Sequence, residues 1–155
     1  MKDYKMRRKD REMPNKEALE VLAKCEYGVL STIGEDGYPY GIPVNYAYDG
    51  EKIYFHCAKD SGHKQDNLAY CSRVSFCTVC NNAVESELFT EKFESVIVFG
   101  TACKADKNKK HGLELLVKKY SPGFTEKGME IIEKSAGAAD VFEISILKIS
   151  GKRHK

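Results

Sequence analysis

The densest set of residues able to do chemistry is Phe55-His-Cys-Ala-Lys-Asp-Ser-Gly-His-Lys-Gln-Asp-Asn67. The segment leaves a β-rich run at Ala58, turns at Gly62 and enters a helical stretch. A helix start offers unpaired amides to an anion, and Lys59, His63 and Lys64 add positive charge there. This is what a phosphate site requires. A solvated loop with two incidental histidines fits the spacing equally well, and the residues alone leave both readings open. Neither histidine has a Cys or His at a zinc spacing, and His56 and His63 flank the turn on opposite sides.

Cys77-Thr-Val-Cys80 has the C-x-x-C spacing of a zinc half-site or a redox pair. In a strand, however, residues three apart point to opposite faces, and no second C-x-x-C follows. Structural thiols are the favoured reading, with a zinc or redox sensor as the alternative, and no metal site is assigned. The run Tyr38-Pro-Tyr-Gly-Ile-Pro-Val-Asn-Tyr-Ala-Tyr48 carries few reactive groups, but Pro39, Gly41 and Pro43 disrupt strand pairing. It is either a barrel strand with an exposed edge or a backbone platform for a flat ring. No Gly-x-Ser-x-Gly elbow, Gly-x-Gly-x-x-Gly or Gly-x-x-x-x-Gly-Lys-Ser/Thr motif occurs. Glu85 and Glu87 sit in a polar stretch that reads as surface. An enzyme built this way would leave the hard chemistry to a cofactor.

The elements that must position these groups are mostly strands. A helix over 14–25 places Ala18, Leu19, Leu22 and Cys25 on one face. Strands are expected at Tyr27–Ile33, Tyr38–Tyr48 and Lys52–Ala58, joined by turns at Asp36-Gly37 and Asp49-Gly50. A short helix over 60–70 turns Leu68 inward. Further strands run over Arg73–Val79 and Lys92–Lys104, separated by a polar stretch around Asn81 and Asn82. The Val96-Ile-Val-Phe99 core of the second could be buried on both faces. Asp106 and Thr125 are expected to cap two helices, the first stopped by Ser121-Pro122. Val141–Ile149 closes the chain, with Val141, Glu143, Ser145, Leu147 and Ile149 on one face. Hairpin connections favour a six-stranded antiparallel barrel, mainly β with peripheral helices, over βαβ units.

Composition narrows the field further. The 155 residues suit a single domain, 1–155, with a basic N-terminal arm of about residues 1–12. The arm reads as a solvated tail. With 25 Lys and Arg against 23 Asp and Glu, the net charge of +2 disfavours binding nucleic acid through bulk charge. No apolar run approaches the roughly 20 residues of a membrane span, and no leader is recognised at the N-terminus. Six cysteines without a secretory context are expected as free thiols in a reducing cytoplasm.

Several of these segments also resemble a known family. Met6-Arg-Arg-Lys-Asp-Arg-Glu-Met13, Tyr27-Gly-Val-Leu-Ser-Thr32, Gly37-Tyr-Pro-Tyr-Gly-Ile-Pro-Val-Asn-Tyr46, Ile53-Tyr-Phe-His-Cys-Ala58, Gly62-His-Lys64 with Asn67, Ser95-Val-Ile-Val-Phe-Gly100 and Ser150-Gly-Lys152 look like the nitroimidazole-resistance branch of the pyridoxamine 5′-phosphate oxidase-like flavoproteins. The match runs in order over about residues 6–151. It implies a split β-barrel homodimer with FMN at the subunit interface. By position it sets Pro43, Val44 and Asn45 beside the isoalloxazine ring, and His56, Cys57 and Ala58 on the neighbouring strand. His63, Lys64 and Asn67 reach the phosphate or the exposed ring face, and Ser95, Val96 and Ile97 come from the strand facing the partner. His63 is the residue implied for substrate-side chemistry. Cys57 departs from the pattern, a thiol beside the flavin where a less reactive small residue is common; the other five cysteines read as ordinary buried thiols. The implied function is an FMN-dependent oxidoreductase reducing a small flat substrate such as a 5-nitroimidazole. The alternative is a protein that holds flavin, deazaflavin or haem without turnover.

Overall fold

Alternation of apolar with polar or small residues over Tyr27–Ile33 does fold as a strand (β2), with Gly28, Leu30 and Thr32 turned inward. The computed structural model describes residues 4–60 and 62–155. At the end of β2, the Asp36 carboxylate accepts the Tyr38 amide at 3.0 Å. Gly37 takes a φ of 79°, a conformation that side chains resist. The chain therefore reverses into β3 (Pro39–Asn45), paired with β2 from Ile33↔Pro39 to Tyr27↔Asn45.

The remaining strands are β1 (Glu12–Met13), β4 (Ala47–Tyr48), β5 (Lys52–Ala58), β6 (Arg73–Glu85), β7 (Thr90–Lys104) and β8 (Ala139–His154), with helices α1 (Asn15–Lys24), α2 (His63–Tyr70), α3 (Lys109–Tyr120) and α4 (Thr125–Ser135). Among the described residues the sheet order is β3-β2-β6-β7-β8-β5-β4, all antiparallel, with β1 added to β8. Six strands are long, and β1 and β4 are two-residue additions. The sheet's two ends, β3 and β4, are consecutive in sequence and separated by Tyr46 alone. The sheet thus curls into a barrel that stays open along one seam.

Tyr46 explains why the expected Tyr38–Tyr48 strand breaks in two. Its amide donates to the Tyr120 hydroxyl at 2.9 Å instead of to a neighbouring strand. That hydroxyl in turn reaches the carbonyls of Tyr46, at 2.8 Å, and Glu26. The fully buried Tyr46 hydroxyl donates to the Leu22 carbonyl at 2.5 Å. Helices α1 and α3 are so pinned to the seam. Prolines 39 and 43 fall on an edge strand, where a missing donor costs nothing in the ladder.

The core lies inside the barrel, plugged by Ala18, Val21 and Leu22 of α1. Phe55 stacks on Phe142 at 5.4 Å and Tyr46 meets Phe76 edge-on at 4.8 Å. Two glycines admit close approaches: a side chain on Gly28 would overlap the Phe76 ring, and one on Gly151 would overlap Met13 and Ala18 beneath α1.

Some sequence expectations change. The stretch around Asn81 and Asn82 continues β6, with a register shift between Cys80 and Ala83 and Asn81 at a φ of 54°. Val96 and Val98 are buried, but Ile97 and Phe99 are exposed on the outer face of this chain. Leu147 is an extra residue opposite Phe99/Gly100, so Ile149 pairs with Val98 and rejoins the face of Ile144 and Ile146. Asp106 does not cap α3, which begins after Asn108, and the Thr125 hydroxyl bonds the Pro122 carbonyl at 3.0 Å rather than an amide of α4. The N-terminal arm is not a solvated tail: Glu12 and Met13 pair with Lys152 and Gly151, though its first three residues lie outside those described. Only Cys25 and Cys57 are buried; Cys71, Cys77 and Cys80 are partly so and Cys103 is exposed.

Candidate functional site

The open seam leaves the outer faces of β3 and β5 next to each other, with the start of α2 at one end. Alternation decides which residues this groove receives. On β3, Gly41, Pro43 and Asn45 face out while Ile42 and Val44 pack on the core; on β5, His56 and Ala58 face out while Phe55 and Cys57 face in. The floor is consequently flat, built from glycine, proline and alanine with Asn45 and His56 as its polar groups.

The turn from β5 to α2 is held by groups that sequence reasoning did not single out. Gln65 Nε2 donates to the Ala58 carbonyl at 2.7 Å and contacts the Cys57 sulfur at 3.1 Å, tying the first turn of α2 to the end of β5. The Asp140 carboxylate accepts the Asp60 amide at 3.1 Å and the Lys104 ammonium at 2.9 Å, and Lys104 with that amide holds its carboxyl below the ordinary range. Asp60 adopts a φ of 56° and Gly62 one of 118°, which lets the chain reverse within four residues. Neither Gln65 nor Asp140 belongs to a motif; their roles arise from tertiary placement.

Each implied site residue has a definite place. His63 opens α2, and its ring stacks on Tyr40 at 4.0 Å, which fixes it beside β3. Lys64 lies near enough to act on His56, whose pKa falls below its ordinary 6.5 through burial and then through that ammonium. His56 is accordingly neutral at pH 7. Lys59 reaches the Asp60 carboxylate at 3.6 Å and is less available than Lys64. Asn67 is turned away from the groove: it is buried, and its amide donates to the Thr32 hydroxyl at 2.9 Å, bracing α2 against β2. Val44 and Cys57 can offer a ligand in the groove only backbone atoms, since their side chains face inward. Burial raises the Cys57 thiol pKa, the opposite of an activated thiolate.

Ser95, Val96 and Ile97 lie away from the groove in this chain, on β7. Val96 is core, whereas Ile97 belongs to an outer row that runs Pro43, Val29, Cys77, Ile97 across four strands. Val79 and Phe99 extend the same exposed apolar face. Cys77 and Cys80 take opposite faces; Cys80 lies beside Cys25 instead, and burial with that thiol pushes its pKa up to about 12. Among the described residues no group of three or more His, Cys, Asp or Glu is placed to hold a metal ion. No helix among them is long and apolar enough to cross a membrane.

A second hollow adjoins the groove. Helices α3 and α4 flank it with Leu113, Val117 and Ile131; it is open to solvent, has a volume of about 690 Å³, and is lined by Asn45 and His56 as well.

The sequence profile of the pyridoxamine 5′-phosphate oxidase family matches residues 14–153, nearly the whole barrel. The chain belongs to this family. No curated protein matches the sequence significantly. Solved structures do share the fold. A candidate 5-nitroimidazole antibiotic resistance protein from Bacteroides thetaiotaomicron superposes with a TM-score of 0.78 at 16% identity, covering 92% of this chain and 86% of that one. A FAD and haem binding protein from Mycobacterium smegmatis gives 0.80 at 20% identity, with 94% and 74% covered. A flavocytochrome from Azotobacter vinelandii gives 0.80 at 19% identity, with 98% and 73% covered. The open antiparallel barrel is therefore the split barrel of the family, as the resemblance implied.

Proposed function

We propose that the protein is an FMN-dependent oxidoreductase that works as a homodimer and reduces small flat aromatic acceptors. The observation that carries this reading is the groove along the seam. Gly41, Pro43 and Ala58 give a floor without protruding side chains, on which a planar ring can lie, and Lys64 with the start of α2 stands at one end, where a phosphate would be held. These residues fit a flavin mononucleotide. Bound flavin would supply the hydride or electrons that no side chain of this chain can. The chain's own part is to seat the ring on β3 and β5, hold the phosphate charge at Lys64, and present His63 and neutral His56 as hydrogen-bonding groups beside it. His63, fixed against Tyr40, remains the candidate for contact with substrate.

The dimer reading rests on the apolar row Val29, Cys77, Ile97 with Val79 and Phe99 beside it, left open on the outer face of the sheet. Soluble chains rarely expose such a continuous patch. Pro43 ends the same row, so a second copy covering it would also wall the groove and bring its own β7 close to the ring. Assignment to the cytoplasm is part of the same proposal, suited to six free thiols.

The test is an FMN titration of the purified protein followed by a reductant and acceptor screen. Saturable FMN binding with flavin reoxidation by a nitroaromatic or quinone supports the reading. Absence of flavin binding overturns it. Flavin that binds but is reoxidised by no acceptor, or preferential binding of haem or deazaflavin, would support a carrier instead, a reading favoured by the FAD- and haem-binding proteins of like fold.

A further inference from the structure

None of the side chains lining the hollow under α3 and α4 belongs to the core inside the barrel. The two helices approach closely where a side chain on Gly128 would overlap Val117. A second glycine, Gly112, seats α3 on Tyr54 and Val141, each within 2.9 Å of where a Cβ would stand. Away from these contacts the walls part. Ile131 is left 54% exposed and Phe124 70% exposed, facing a cavity of about 690 Å³. That volume lies within the roughly 300–1,000 Å³ of small-molecule sites, and the lining is mostly apolar with a few polar groups, as in such sites. Two of the polar groups, Asn45 and His56, it shares with the groove. Lys127 stands at the rim, with no ion-pair partner among the described residues.

We propose that this cavity is the acceptor subsite. It takes a one- or two-ring aromatic molecule whose apolar edge lies between α3 and α4 and whose reducible oxygen group, a nitro group or a quinone carbonyl, rests against Asn45 and His56. Three observations converge on this occupant. A planar ring fits a slot between two helices and recovers the apolar area left open at Val117, Phe124 and Ile131. Asn45 and the neutral His56 can each donate a hydrogen bond to an oxygen acceptor. The shared residues place that oxygen beside the ring floor at Pro43. Lys127 favours acceptors that also carry an acidic substituent.

The inference rests on the flavoprotein reading, and the test separates the two. Menadione and 4-nitrobenzoate serve as probes, with binding followed by ligand-observed NMR on the flavin-free protein and KM measured on the FMN-loaded protein. Ile131→Trp fills the slot from an exposed position, so the fold is retained, and thermal melting checks this. It is expected to weaken both probes about tenfold, roughly 1.4 kcal/mol, in both measurements while the FMN dissociation constant stays put. Lys127→Glu is expected to weaken 4-nitrobenzoate and spare menadione. Probe binding and KM that ignore Ile131→Trp, or no saturable binding of either probe, overturn the subsite. If FMN itself does not bind, the flavoprotein reading fails while NMR on the flavin-free protein still decides the cavity.

Discussion

Two regions of this molecule gather positive charge, and they use it in opposite ways. Where the chain's ends meet, Arg153 donates to both Glu94 and Glu17 at 2.6 Å, Lys24 also bonds Glu94, and Arg8 bonds Asp10 at 2.5 Å. Arg8 holds the Asp10 carboxyl at about 2. Even the Arg11 guanidinium, whose Nε alone is buried without a partner among the described side chains, bonds His154 through Nη2 at 2.9 Å. A hollow of about 410 Å³ lies there, and two of the arginines that line it, Arg8 and Arg153, are already answered by carboxylates. Along the seam, Lys64, close enough to act on His56, and Lys127, in the adjoining hollow with Asn45 and His56, have no carboxylate partner among the described residues. Compensated charge ties the termini to the barrel; uncompensated charge beside a flat floor is available to a ligand.

If that contrast holds, mutations at the seam should change binding with little effect on stability, and mutations at the termini the reverse. The largest effect is expected from Ile97→Asp, since the apolar row joins the groove to the proposed second copy. A carboxylate there must be desolvated twice in a symmetric dimer, weakening association by at least about a hundredfold, or roughly 2.7 kcal/mol. Sedimentation should show a monomer that still melts cooperatively and binds FMN poorly. A dimer of unchanged affinity would break the link between the two surfaces. Next comes Lys64→Glu, expected to weaken FMN by tens of fold, roughly 2 kcal/mol for a reversed charge-assisted contact, with an unchanged urea midpoint.

The opposite signature belongs to Glu94→Gln. Glu94 is 9% exposed and is bonded by Lys24, Arg153 and Asn81, so loss of its charge is expected to cost roughly 1–2 kcal/mol, a few degrees in Tm for a chain of this size. FMN affinity should not move. Lys24, followed by Arg153, holds the Glu94 pKa below its ordinary 4.5. The unfolded chain takes up this proton at higher pH than the native one, so the contribution is full above about 4.5 and is lost as pH falls through the lower native value. Urea unfolding from pH 6 to 3 should therefore show a loss of stability in wild type that Glu94→Gln shares less.

Much of this contrast was legible before the structure. The limits of β2 and β5 coincide with the alternating runs because their turns carry Asp-Gly pairs that fix the register locally. The Tyr38–Tyr48 break was not, because it depends on Tyr120, far along the chain, replacing a strand neighbour with a hydroxyl. The Leu147 bulge escaped for a related reason: alternation read along one strand says nothing about an extra residue against its partner. At the site, resemblance supplied Pro43 to Asn45 and His56 to Ala58 as triplets, and period-two geometry splits each into residues that face the groove and one that faces the core. Asn67 looked like a ligand group and proved to be a brace. The cavity beneath α3 and α4 was invisible because amphipathic spacing shows that a helix has an apolar face, not whether a neighbour fills it.

The smallest predicted effect probes the seam's charge most directly. His56 is held neutral by burial first and by Lys64 second, so its native pKa lies below the 6.5 of the unfolded chain. Its sign matches that of Glu94, since native protein binds fewer protons, but the window is higher. Stability is full above about 6.5 and declines as pH falls from there toward the native value. His56→Gln should flatten the wild-type slope between pH 7 and 5 and leave the acid limb due to Glu94 in place. Lys64→Met separates the two causes: with burial intact and the ammonium gone, the histidine should titrate closer to 6.5 by NMR, and the slope should shrink without vanishing. An unchanged His56 titration in that variant would mean that Lys64 does not direct its charge over the groove, and the proposed phosphate end of the site would lose its cation.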